Sequence, residues 1–100
     1  MLHVVNKSPF EKNSLATCIR LSADGSSILL IEDAVYGGIS GSEFESELKD
    51  ALASKKVYAL EPDLKARGIA NDRLIDGVQT VDYEGFVNLA AGSTNTQSWL

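Results

Sequence analysis

A single cysteine, Cys18, and a single histidine, His3, are the side chains on which nucleophilic or acid–base chemistry in this sequence would first be sought. A thiol becomes a useful nucleophile when a helix N-terminus or a nearby cation lowers its pKa, and it stays inert when sealed among apolar groups. Cys18 follows Leu15 and precedes Ile19 at the i, i+3, i+4 spacing of one helix face, so it rides on the first helix. Two starts compete for that helix. Ser8-Pro9-Phe10-Glu11 has the spacing of a capping box, whereas a start at Asn13 or Ser14 leaves Cys18 about one turn in, within reach of the helix dipole. A reactive thiol and a small buried hydrophobe are both open on this reading. His3 lies in a strand and has no cysteine–histidine–aspartate arrangement around it, which makes it a hydrogen-bonded strand residue rather than a base. With one cysteine and one histidine there is neither an internal disulfide nor a zinc-type cluster, and no metal or organic cofactor is expected.

Other charged and glycine-rich groups carry weaker signals. Glu32 and Asp33 end an apolar strand, the position that borders the ligand crevice in doubly wound sheets, although two solvated carboxylates would look the same. Gly37-Gly38 and Gly41 match neither a dinucleotide fingerprint nor a phosphate-binding loop. Lys65, Arg67 and Arg73 form the one basic cluster, and Asp63 stands four residues before Arg67, the spacing of a surface ion pair.

The elements that must hold these groups alternate in type. Leu2 to Asn6, Ile28 to Ile31, Val57 to Leu60 and Val78 to Val81 are short apolar runs, the pattern of strands covered on both faces. Between them lie the first helix, a helix over Ser42 to Ala53 with Phe44, Leu48, Ala51 and Leu52 on one face, and a short helix from Glu61 to Arg67. Pro62 marks the start of that short helix and Gly68 its end. Asp82 caps a last helix bearing Tyr83, Phe86, Val87 and Ala90 and closed by Gly92. Ala70 to Gly77 reads as a surface loop, and Ser93 to Ser98 as a polar stretch leading into Trp99. The expected fold is α/β: one domain over residues 1–100, a three-layer α/β/α arrangement with a mainly parallel sheet.

With 100 residues, a domain of this kind buries enough surface for one core with little to spare, which leaves some apolar surface for partners. A net charge of −5 has the wrong sign for neutralising phosphates, so direct nucleic-acid binding is not expected. No apolar run approaches the ~20 residues of a membrane span. The opening MLHVVNKSPF lacks the basic and apolar regions of an export signal, so a cytoplasmic protein is expected.

Several stretches together resemble the DsrH/TusB family over essentially the whole chain. They are Met1-Leu2-His3, Asn6-Lys7-Ser8-Pro9-Phe10, Leu29 to Tyr36, Asp63 to Gly68, Val81-Asp82-Tyr83 with Phe86-Val87, and Trp99. The resemblance implies a DsrE/F/H-type domain inside a heterohexamer, with DsrE/TusD-like and DsrF/TusC-like partners and a DsrC/TusE-like sulfur acceptor downstream. Such complexes relay sulfane sulfur as a cysteine persulfide, and the principal accepting cysteine belongs to the DsrE/TusD-type subunit. Cys18 resembles the helix-one cysteine of DsrH-type chains, which makes it the candidate persulfide carrier and favours a role in cytoplasmic sulfur oxidation. The alternative is a TusB-like subunit of the relay for 2-thiouridine at the tRNA wobble position, a scaffold without a catalytic cysteine of its own. The terminal Trp99 suggests apolar surface awaiting a partner.

Overall fold

The computed structural model describes residues 1–99. Its elements follow in order as β1 (Leu2–Val5), α1 (Ser14–Leu21), β2 (Ser27–Leu30), α2 (Glu45–Leu52), β3 (Lys56–Leu60), α3 (Glu61–Ala66), β4 (Gln79–Val81), α4 (Tyr83–Ala91) and β5 (Thr96–Trp99). Short 3-10 segments occupy Glu32–Gly38 and Asn71–Arg73. The strands form one sheet in the order β4-β3-β2-β1-β5, and every pairing is parallel. The expected α/β/α architecture is therefore present.

Strand alternation sends side chains to two unequal layers. Val5, Ile28, Leu30, Val57 and Ala59 point to a large cluster with Leu15 and Cys18 of α1, Leu48 of α2, Leu64 of α3 and Ala34 and Val35 of the first 3-10 segment. Leu2, Val4 and Leu29 point the other way, where α4 alone covers them with Phe86, Leu89 and Ala90. One face thus carries three helices and the other a single nine-residue helix.

Local chemistry accounts for the helix ends. Both candidate starts for α1 are used, but differently: Ser8 closes an isolated turn, accepting from the Phe10 N–H at 3.2 Å, and the helix begins at Ser14. Pro9 then packs beside Gly37, where a Cβ would lie 3.2 Å from Pro9 Cγ and only 2.8 Å from Leu15 Cδ2. This close approach lets the 3-10 segment lie against α1. At the end of α3, Gly68 takes φ +68. The Ile69 N–H reaches the Leu64 carbonyl at 3.0 Å and the Gly68 N–H the Lys65 carbonyl at 3.1 Å, while Leu64 and Ile69 are both buried. That is a Schellman closure with its apolar contact. Asp82 caps α4 as expected, accepting from the Gly85 N–H at 2.7 Å.

The polar stretch after α4 corrects the sequence reading. Thr96 to Trp99 form β5, parallel to β1 with Leu2 opposite Thr96 and Val5 opposite Trp99. An edge strand needs backbone pairing on one side only, so its solvent-facing residues carry no apolar period to announce it.

Candidate functional site

Cys18 sits on the inner face of α1, 0% exposed, within the main apolar cluster. Burial pushes its thiol up to about 12, because the thiolate would lose its hydration; the positive charge of Lys55 pulls the other way and is outweighed. The helix start at Ser14 does place Cys18 about one turn in, but the side chain points to the core. A sulfur that exchanges with another protein needs both access and a thiolate, and the folded chain supplies neither at this position.

At the carboxyl ends of β2 and β3 the charged groups are tied to one another. Arg67 Nη2 lies 2.9 Å from Asp33 Oδ1, and its Nε donates to the same oxygen at 3.0 Å. The expected Asp63–Arg67 ion pair is replaced by a different contact: Arg67 Nη1 donates to the Asp63 backbone carbonyl at 3.1 Å. The Asp63 carboxylate turns to the Glu32 backbone N–H instead, at 2.6 Å. Glu32 takes φ +49, a left-handed conformation that costs a side-chain-bearing residue roughly 1 kcal/mol, and the Asp63 acceptor compensates part of it. Lys65 pairs with Glu61 at 3.2 Å on the exposed side of α3. Glu32 and Asp33 are therefore brought together with Asp63 and Arg67, in an arrangement that fixes the strand-to-helix corner.

His3 is 4% exposed, and its Nδ1 accepts from the Trp99 indole N–H at 3.0 Å. An indole N–H only donates, so neutral His3 holds its hydrogen on Nε2, which has no partner among the described residues. Burial, reinforced by the positive amino terminus, lowers the His3 pKa below 6.5. Trp99 is partly buried against the main cluster, and its indole N–H is committed to His3. His3 is a hydrogen-bonded strand residue, as its setting in the sequence implied. No cluster able to hold a metal ion occurs among the described residues. A cleft of ≈ 260 Å³ opens beside Lys55, Lys56, Asp76 and Gln79, but at the amino-terminal ends of β3 and β4, away from Glu32 and Asp33.

One surface feature was not read from the sequence. Tyr83 and Val87 of α4 are 61% and 64% exposed, although both are large and apolar. Their signal was the near absence of charge in the helix, where Glu84 is the one ionisable group apart from the Tyr83 phenol.

Fold and site together define a small, all-parallel α/β/α domain whose one thiol is a core residue. The chain belongs to the DsrH family: residues 7–96 match the family model described as DsrH like protein. It is 34% identical over 99 residues to Protein TusB of Escherichia coli strain SMS-3-5 / SECEC, covering 99% of this chain and 100% of that protein. To Protein TusB of Shigella flexneri it is 32% identical over the same span. Its fold is similar to the crystal structure of the ychN protein from E. coli, with a TM-score of 0.83 at 22% identity, covering 98% of this chain and 97% of that one. It is also similar to MTH1491 from Methanobacterium thermoautotrophicum, a protein of unknown function, with a TM-score of 0.77 at 15% identity over 97% and 95% of the two chains.

Proposed function

We propose that this chain is a TusB-like scaffold subunit of a sulfur-relay complex serving 2-thiouridine formation at the tRNA wobble position. Its partners are DsrE/TusD-like and DsrF/TusC-like subunits, two copies of each of the three making a cytoplasmic heterohexamer that hands persulfide sulfur to a DsrC/TusE-like acceptor. The sulfur-accepting cysteine resides on the DsrE/TusD-like subunit. Full-length similarity to proteins named TusB supports this branch over a sulfur-oxidation role. The observation that carries the scaffold assignment is Cys18, 0% exposed with its thiol pushed up to about 12. The charge of −5 suits a subunit that meets proteins and leaves tRNA to a later member of the relay. No described helix is long and apolar enough to cross a membrane.

The test is complementation of a deletion strain, with wobble-uridine thiolation read by mass spectrometry of digested tRNA. Deletion should abolish the thiolated nucleoside, and wild type and Cys18→Ala should restore it equally. A folded Cys18→Ala protein that joins the complex and fails to restore thiolation would make Cys18 a carrier. Undiminished thiolation in the deletion strain would remove the chain from this route and return it to sulfur oxidation.

A further inference from the structure

The least anchored layer of the fold is α4. Among its nine residues Tyr83, Phe86, Val87, Leu89, Ala90 and Ala91 are apolar, and none of the nine is fully buried. Phe86, Leu89 and Ala90 face the sheet. Tyr83, Val87 and Ala91 follow one another at i, i+4 and i+8 on a row that is exposed along its whole length. A surface helix ordinarily places charged and polar residues there, and a helix that is apolar nearly all round is one that is covered. Along this part of the chain the charge is one-sided. From Leu74 to the end of the chain there is no lysine or arginine, while Asp76, Asp82 and Glu84 are acidic, the last two at the exposed start of α4.

From this we infer that the outer face of α4, centred on Tyr83 and Val87, docks a different protein chain, one presenting an apolar centre flanked by lysine or arginine. A second copy of this chain is disfavoured: an isologous contact through α4 would bring together two identical patches, each with Asp82 and Glu84 and with no lysine or arginine of its own segment to pair with them, between two molecules each carrying −5. The same acidic rim repels nucleic acid and anionic membranes. Tyrosine at the centre supplies the large, rigid contact area favoured in interface hot spots, and Asp82 and Glu84 at the rim orient the approach.

This inference rests on the proposed relay complex, because its occupant is one of the two partner subunits. The experiment is assembly of the purified full-length chain with both partner subunits, followed by light scattering on a sizing column and by titration at two salt concentrations. Wild type should bind and weaken as salt screens the rim. Tyr83→Ser/Val87→Ser should lose about tenfold or more in affinity. Glu84→Lys should bind severalfold more weakly with a shallower salt dependence. Leu21→Ser, at an exposed apolar site on α1, should bind as wild type does. Urea midpoints unchanged from wild type show that each variant is folded. Wild type that binds neither subunit would overturn the relay reading along with this one. Wild type that binds while the folded double variant and Glu84→Lys bind equally well would overturn the α4 surface alone. A wild-type homodimer that the double variant dissociates would overturn it in favour of self-association.

Discussion

Cys18 gives the sharpest quantitative test of how the fold controls its chemistry. In an unfolded chain its thiol titrates near 9.0, and in the folded protein burial pushes it up to about 12. At pH 8 about a tenth of the unfolded thiol is ionised against about one part in ten thousand of the folded one, so the thiolate populations differ about a thousandfold. Because the sulfur is also 0% exposed, an alkylating agent must wait for local opening of α1, which slows the reaction further. The assay is a time course of iodoacetamide labelling at pH 8, read by intact-mass spectrometry, with native protein compared against protein in guanidinium. The native rate should be at least about a thousandfold slower. Native labelling within tenfold of the denatured rate would refute the argument, since it would require an accessible thiolate in the ground state. The same raised pKa has a thermodynamic consequence. Above pH 9 the unfolded state releases a proton that the folded state keeps until about 12, so stability falls as pH rises through that window, by about 4 kcal/mol at most. Cys18→Ala should remove this part of the alkaline destabilisation, measured as the difference between the urea-unfolding free energies of the two proteins from pH 8 to pH 11.

Two further outcomes follow from the packing. Gly37→Ala should destabilise the chain by roughly 1–3 kcal/mol in urea unfolding, because the new methyl would stand 2.8 Å from Leu15 Cδ2 in a filled core; a change below about 0.3 kcal/mol would show that the 3-10 segment moves aside freely. His3 has its pKa lowered by burial, so the unfolded chain takes up a proton near 6.5 that the folded chain refuses until lower pH, and stability should fall as pH drops from 7 towards 5. The indole N–H resonance of the single tryptophan should report the loss of its acceptor over the folded-state titration, and a His3 midpoint at or above 6.5 by NMR would contradict the buried Nδ1–indole contact.

Much of the framework was legible in advance because it rests on local rules. Ile28 to Leu30 is apolar on both sides of the chain, which suits a strand covered on both faces. Pro62 and Gly68 delimit α3 through a fixed φ at the start and a left-handed residue at the end. Asp82 caps α4 with a contact spanning three residues. Each signal lies within one turn of the feature it predicts. The site was less legible. Asp63 and Arg67 have the spacing of a helical ion pair, yet Asp33, thirty-four residues away from Arg67, takes the guanidinium, and the Glu32 N–H takes the Asp63 carboxylate. β5 carries no apolar alternation, and its place beside β1 depends on backbone pairing across the whole length of the chain.

By itself, then, the amino-acid order determined the alternation of strands and helices, the family, and the placing of Cys18 on the apolar stripe of the first helix with Leu15 and Ile19. A stripe, however, specifies which residues share a face and leaves open how completely another layer seals it. Only the tertiary structure decided that. α1, α2, α3 and the Glu32–Gly38 segment share one apolar layer with the sheet, and the thiol is buried in it, whereas the opposite face of the sheet receives α4 alone. The physical reason is that burial is a property of the assembled layers: the desolvation that raises the Cys18 pKa, and the exposure that leaves Tyr83 and Val87 in water, both depend on groups far apart in sequence.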